Sequence, residues 1–297
     1  MSRLGRGGAV ALMIAAPVLW SSAGVVTRHI ERALPFEQVF WRSLFAFVFV
    51  FAVLLLQKAH PWKAVRSAGV PGLVSGLMWA LMFTAFLFAL SMTTTANTLV
   101  VMAVSPLLTA VFAWFFLKDP LPARTWVAAG AAALGIAWMF SAQLSAHYAG
   151  MAVAFIIPLA AAINVVTLRA SAARLDLVPA VMLGGALSCL LALPFALPFS
   201  ATPRDIALLA FLGFFQLGLP CMLLVLASRA LLAPEIALLG LLEVVLGPLW
   251  AWLGAGEDPG RTTLVGGAVV LAALAANELA AMRGAPAQVA RPSARRL

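Results

Sequence analysis

The sequence predicts an all-α integral membrane protein of ten transmembrane helices, arranged as two inverted five-helix repeats. Three observations predict it: the composition, a series of hydrophobic runs, and a similarity between the two halves of the chain. Of 297 residues, 64% are hydrophobic and 10% are charged, with a mean hydropathy of +1.06. Soluble domains carry about 25% charged residues, and disordered chains carry few apolar ones. The composition therefore excludes both of these classes.

Ten hydrophobic runs supply the predicted helices. A helix crosses a bilayer with about 20 apolar residues, and no long soluble segment separates the runs. The first run follows Arg3 and Arg6, as in a signal peptide, but we interpret it as the first span because nine more follow it. In chain order the runs are 8–26, 36–56, 70–90, 96–117, 125–140, 150–168, 178–199, 206–227, 236–252 and 263–282.

The basic residues predict the orientation of these spans. Fourteen of the 19 Lys and Arg residues fall in loops on one side, four fall on the other side, and Arg42 lies within the second run. Positively charged loops stay in the cytoplasm, so we expect both termini of this multi-pass membrane protein to be cytoplasmic. The same rule explains the net charge of +9, and no basic face suggests a nucleic-acid partner.

Similar motifs recur in the two halves of the chain. Asp119-Pro120 recurs as Asp258-Pro259, and Pro106-Leu107 recurs as Pro248-Leu249. Five spans per half is an odd number, so the second half must be inserted upside down. We therefore expect a first repeat over 1–142, a second over 143–284 and a basic cytoplasmic tail over 285–297. Inverted repeats with prolines at corresponding positions are typical of secondary transporters, whose substrate site lies between the repeats.

Four prolines are expected to interrupt spans 1, 4, 6 and 9 near their middles, because a proline leaves a backbone carbonyl without its helical partner. Freed groups must face protein or water in a membrane. The serines Ser21 and Ser22 are expected to satisfy such carbonyls in the first span. The predicted helix breaks are Pro17, Pro106, Pro158 and Pro248.

Glu243 is the acidic residue near the middle of a span. A carboxylate there costs about 2.5–3.5 kcal/mol on insertion scales, so it needs a partner or a wet cavity. It would anchor a substrate amine, bind a proton, or pack in protonated form beside Pro248. We interpret Arg42 as a structural residue, whose side chain either reaches outward to the membrane interface or pairs with Glu37.

Aromatic and amide side chains complete the candidate cavity. Trp79 shares a helix face with small residues that allow close packing, Met82 offers an adaptable apolar surface, and Trp20 follows Pro17. Amides facing lipid are costly, so they face the interior, where they either bridge helices or line the cavity. The predicted substrate-binding residues are Trp20, Trp79, Met82, Asn97, Asn164, Gln216 and Glu243.

The chain resembles the drug/metabolite transporter superfamily and, within it, the ten-helix EamA family. The residues that carry the resemblance are Val18-Leu19-Trp20-Ser21-Ser22, Pro106 followed by Lys118-Asp119, Leu242-Glu243-Val244-Val245-Leu246-Gly247-Pro248, and Glu257-Asp258 before a Gly-rich span. In length and layout it is similar to the YddG-type amino-acid exporters. The resemblance implies export of amino acids or related metabolites across the cell inner (plasma) membrane, through a basket formed by spans 1, 3, 4, 6, 8 and 9.

We therefore predict a secondary active transporter that exports amino acids or related small metabolites by alternating access. The alternative is a proton-coupled exporter of drugs and lipophilic cations, which would rest on Glu243. The spans contain no histidine and the chain has no phosphate loop, which argues against an enzyme or an ATP-driven pump. We expect no cofactor, no metal site and no disulfide between Cys189 and Cys221. The expected partners are the lipid bilayer and a small-molecule substrate, with the chain acting as a monomer.

Overall fold

The fold is entirely helical in the part of the chain that the structure describes. A computed structural model describes residues 5–92, 95–102, 104–118, 122–139, 148–255 and 260–283. The helices are α1 (Arg6–Trp20), α2 (Ala23–Thr27), α3 (Pro35–Leu56), α4 (Pro61–Met92), α5 (Thr95–Met102), α6 (Ser105–Phe112), α7 (Ala123–Met139), α8 (Tyr148–Ser171), α9 (Val178–Ala196), α10 (Pro203–Phe211), α11 (Leu219–Ala227), α12 (Ala233–Gly240), α13 (Leu242–Ala255) and α14 (Gly260–Arg283). Two π-helical segments, Ala113–Leu117 and Leu212–Gly218, continue α6 and join α10 to α11.

The length and apolarity of these helices make the chain a membrane protein. Among the described residues, six helical stretches are long and apolar enough to span a bilayer, and two shorter apolar helices cover Ser105–Leu117 and Leu264–Asn277. Three of the other predicted spans are divided or short in the described part of the chain. The fourth and ninth runs are divided into two short helices each, and α7 has only 17 residues. The six stretches are Arg6–Thr27, Pro35–Leu56, Pro61–Ala89, Ala149–Ser171, Val178–Ala196 and Pro203–Ala227.

Helices of the first half pack mainly against helices of the second half. α4 packs on α8 and α9, and in the corresponding positions α10 and α11, with the π segment between them, pack on α1 and α3. α3 also contacts α9, α6 contacts α12, and α7 contacts α14. Each of these last contacts joins an element to its counterpart five runs later. The core is therefore formed between the halves rather than within each half.

Two glycines allow close contacts of α3 with its neighbours in the second half. A Cβ on Gly213 would lie 2.7 Å from the backbone oxygen of Arg42 and would also collide with Phe45. A Cβ on Gly185 would lie 3.0 Å from the backbone oxygen of Ser43. Small residues at helix interfaces let backbones approach in membranes. The middle of α3 is thus held between the π segment on one side and α9 on the other.

The helix breaks agree only in part with the four prolines. α1 ends at Trp20, shortly after Pro17, and Pro106 lies at the start of α6. α8 instead continues through Pro158 without interruption, so that prediction is wrong. A proline removes a single helical hydrogen bond, and the long contact of α8 with α4 supports the helix on both sides of it.

Pro248 does not mark a break either. α13 begins at Leu242 and continues through position 248, while the interruption in this span lies at Leu241, between α12 and α13. It follows Gly240, where an added Cβ would meet no other atom within 4 Å. Glycine is a poor helix former, which favours an interruption next to it. The residue pairs Asp119-Pro120 and Asp258-Pro259 lie outside the described residues.

Two buried carboxylates tie loops of the two halves together at one end of the bundle. Asp205, at the start of α10, accepts hydrogen bonds from the backbone amides of Glu31, Arg32 and Ala33 in the loop before α3. In return Glu37, at the start of α3, accepts from the backbone amides of Ser200 and Ala201 in the loop before α10. Those bonds measure 2.8–3.1 Å. We call this reciprocal arrangement the carboxylate clasp.

Candidate functional site

A cavity of about 160 Å³ lies between the two halves of the chain. Its wall is supplied by α1, α3, α4, α5 and α6 from the first half, and by α8, the Leu212–Gly218 segment, α11, α12 and α13 from the second. An apolar cavity of about 150 Å³ is large enough to hold a benzene molecule. This cavity therefore has room for one small organic molecule.

Six of the seven side chains predicted to bind substrate line this one cavity. They come from five separate runs, and Pro158 also lines it, whereas Pro17 and Pro106 do not. The side chain of Asn97 and that of Pro248 lie outside the described part of the structure. The six are Trp20, Trp79, Met82, Asn164, Gln216 and Glu243.

The structure adds a residue that sequence reasoning missed, Arg42. Its guanidinium does not reach outward and does not pair with Glu37, as was expected of it. It is 2% exposed, lines the cavity, and donates from Nη2 to the backbone oxygen of Phe83 at 2.9 Å. The Arg42 interpretation failed because Glu37 belongs to the carboxylate clasp, where its oxygens also accept from the Ser200 hydroxyl and the Trp41 indole.

The amide side chains combine a structural bond with exposure to the cavity. Asn164 accepts a hydrogen bond from the Ser75 hydroxyl at 2.7 Å, which links α8 to α4. Gln216 donates to the backbone oxygen of Trp20 at 3.4 Å. That oxygen belongs to the last residue of α1, where the helix is interrupted. Both amides therefore bridge helices and line the cavity, so the two alternatives considered for them are not exclusive.

Local irregularities of the helices present these groups to the cavity. Gln216 lies in a π-helical segment, a form that is frequent at functional sites because it realigns side chains within a helix. Glu243 follows the interruption at Leu241 by two residues. Ser21 and Ser22 donate to the backbone oxygens of Val18 and Leu19 at the end of α1, not to the Met13 oxygen that Pro17 leaves without its helical donor, so the expected role of the two serines is not met.

Several polar atoms in the cavity wall have no partner. The Arg42 Nε, Trp79 Nε1 and Gln216 Oε1 atoms are buried and form no hydrogen bond within the described structure. Glu243 and Arg42 line the same cavity, but among the described residues their side chains do not approach to ion-pair distance. Buried polar groups normally find partners. The cavity wall therefore offers both hydrogen-bond donors and hydrogen-bond acceptors to a polar ligand.

Residues 7–141 match the EamA-like transporter family. This family of membrane transporters covers the first half of the chain, including the residues that supply Trp20, Arg42, Trp79 and Met82 to the cavity. A solved crystal structure superposes on the chain with a TM-score of 0.78 at 19% sequence identity, covering 95% of this chain and all of the other. At that identity the similarity shows the fold alone, and it extends over the second half as well. No curated protein matches the chain.

Proposed function

We propose that the protein is a secondary active transporter that exports amino acids or related small metabolites across the inner membrane by alternating access. The observation that carries the proposal is the cavity: it lies between the halves and is walled by both. In transporters built from repeats, the substrate site lies at the interface of the repeats, and rocking of one against the other exposes it to each side in turn. The EamA-like match of residues 7–141 supports the transporter class.

The proposal includes an inverted repeat, with 1–142 and 143–284 as its two units and both termini in the cytoplasm. It is supported by the exchange of contacts described above, in which α4 packs on α8 and α9 as α10 and α11 with their π segment pack on α1 and α3. An odd number of spans in each unit requires opposite orientations. The relation to the YddG-type exporters belongs to the same proposal, and so does function as a monomer.

A second candidate is a proton-coupled exporter of lipophilic cations. Glu243 favours it, since this carboxylate lines a cavity that also contains Trp20, Trp79, Phe83 and Phe86, and aromatic faces attract cations. Arg42 in the same wall counts against it, because a cationic ligand would meet a positive charge there. We therefore place amino-acid export first.

The test is transport by the purified protein in proteoliposomes. Uptake of labelled amino acids and of a labelled lipophilic cation, tetraphenylphosphonium, is measured with and without a pH gradient. We expect amino-acid uptake, strongly reduced by Trp79→Ala, which removes a wall of the cavity without removing a helix. Trp114→Ala is the matched control, because Trp114 is 62% exposed at the periphery of the bundle. Uptake of the cation alone would favour the second candidate, and uptake of neither class would refute both.

Glu243→Gln separates the two candidates further. The substitution keeps the size and hydrogen-bonding capacity of the side chain but removes its charge. Proton-coupled cation transport would stop. Amino-acid exchange would continue, but half-maximal uptake would require a higher substrate concentration. Full wild-type behaviour of both Trp79→Ala and Glu243→Gln would mean that the site lies elsewhere.

A further inference from the structure

Two hydrogen-bond donors of the cavity wall come from the first half of the chain. Arg42, on α3, presents a guanidinium with five N–H donors, of which the structure uses Nη2 on Phe83 and leaves Nε unpartnered. The Trp79 indole N–H, on α4, is also unpartnered and is 3% exposed. These two side chains line the same cavity, and both belong to the first half of the chain.

The acceptors come from the second half. Gln216, 3% exposed in the Leu212–Gly218 segment, has an unpartnered Oε1. Glu243, at the start of α13, lines the cavity and has no ion-pair partner among the described residues. Each half thus brings one formal charge and one unpartnered neutral group to the cavity.

The ligand that complements these groups carries one negative and one positive charge. A carboxylate only accepts hydrogen bonds and an ammonium only donates them. A carboxylate fits Arg42 and Trp79, and an ammonium fits Gln216 and Glu243. The remaining wall, which includes Trp20, is largely apolar and aromatic and suits an apolar side chain.

Charge balance favours the same ligand. The formal charges of Arg42 and Glu243 add up to zero. A bound zwitterion leaves the net charge of the site at zero. A simple amine or a simple carboxylic acid would add a net charge to a site of low dielectric, where an unbalanced charge is costly. It would also leave one of the two protein charges without a partner.

We propose that Arg42 and Glu243 together select zwitterionic substrates. Arg42, with Trp79, binds the substrate carboxylate, and Glu243, with Gln216, binds its ammonium. This inference rests on the proposed transport function and adds to it a physical link: a bound α-amino acid joins the first half of the chain to the second. A ligand that lacks one of the two charged groups forms a charged contact with only one half.

The test compares one amino acid with two analogues on the full-length protein in proteoliposomes. Uptake of labelled leucine, or of the apolar amino acid transported best, competes with the unlabelled amino acid, its amide and its 2-hydroxy acid. The amide lacks the carboxylate, and the hydroxy acid lacks the ammonium. A hydrogen bond to a charged group is worth enough that each analogue should need at least about a tenfold higher concentration to halve uptake.

The variants must change these preferences selectively. Arg42→Gln should abolish the preference for the amino acid over its amide and retain the preference over the hydroxy acid, and Glu243→Gln should do the reverse. Trp79→Phe keeps an aromatic ring but removes the N–H, so it should weaken only the preference over the amide. Arg229→Gln and Glu31→Gln are matched controls, since both residues form ion pairs outside the cavity.

Every outcome decides the proposal. If the wild type transports amino acids but accepts either analogue equally well, the charge-selection inference is wrong while the transport function stands. The same conclusion follows if Arg42→Gln and Glu243→Gln lose both preferences alike. If a variant cannot be purified folded, the wild-type analogue series and Trp79→Phe still decide. If no amino acid is transported, the proposed function itself has failed.

Discussion

Asp205→Asn tests whether the carboxylate clasp stabilises the fold. The Asp205 side chain is fully buried and its two oxygens accept from four backbone amides, those of Glu31, Arg32, Ala33 and Thr202, at 2.8–3.3 Å. Asparagine has the same shape but only one acceptor oxygen, so its NH₂ group must face at least one of those amide donors. Losing one hydrogen bond to a charged group costs about 1.5–3 kcal/mol. We expect the free energy of unfolding to fall by at least that amount.

The assay is thermal unfolding in detergent, followed by a thiol-reactive dye. Cys189 and Cys221 are free and buried, so the dye reports their exposure as the protein unfolds. Arg204→Gln is the control: it breaks the Arg204–Glu31 ion pair at the same end of the bundle, but both side chains are more than half exposed. Such pairs contribute about 0–1 kcal/mol. An unchanged melting temperature for Asp205→Asn, or an equal fall for Arg204→Gln, would refute the reasoning.

Three further predictions test packing, access and orientation. Gly213→Val should strongly reduce the yield of folded protein, because the valine side chain would collide with α3. Gly130→Val should be tolerated, because that glycine has open space around it. Size-exclusion profiles in detergent measure the yield of both variants. Maleimide labelling of Cys221, which lines the cavity, should be slowed by a transported amino acid, while labelling of Cys189 should not change; mass spectrometry measures both. A single cysteine at Lys63, in a background without Cys189 and Cys221, should be labelled only from the cytoplasmic side, and labelling from outside would overturn the topology.

The membrane class and the cavity residues could be predicted from the sequence because lipid makes polar groups conspicuous. Four of the predicted cavity residues are polar or amphipathic within an otherwise apolar run: Trp20, Asn164, Gln216 and Glu243. The bilayer leaves such groups few places other than the protein interior. The structure places them, with Trp79 and Met82, around one cavity. The residue types alone predicted that these side chains share a cavity, without any pattern in their spacing along the chain.

Arg42 is also a charged residue within an apolar run, so the same reasoning places it in the protein interior. The sequence also offers it a local partner. Glu37 precedes Arg42 on the same helix by little more than one turn, which suggested a pair. In the structure the Glu37 carboxylate binds residues 200 and 201, more than 160 positions away in the chain. A partner supplied by the fold cannot be seen in the local sequence. The cost of burying a charge therefore predicts the position of Arg42 better than the proximity of Glu37 does.

The helix breaks were predicted less well because proline was given too much weight. Pro17 and Pro106 lie beside interruptions, but α8 continues through Pro158, and the ninth span is interrupted after Gly240. Whether a helix continues past a proline depends on the contacts that support both sides, such as those of α8 with α4. Those contacts are long-range and are not visible in one run of sequence.

Two opposite charges in a membrane protein interior require an explanation beyond packing. On insertion scales each costs about 2.5–3.5 kcal/mol, so Arg42 and Glu243 together cost about 5–7 kcal/mol. A structural pair would reduce that cost by closing into a direct ion pair, and apolar residues in its place are often as stable or more so. Within the described structure Arg42 and Glu243 instead stay apart, on different halves, with the cavity in contact with both. A ligand with complementary charges placed between them satisfies both groups, and it does so only while the two halves are held around it.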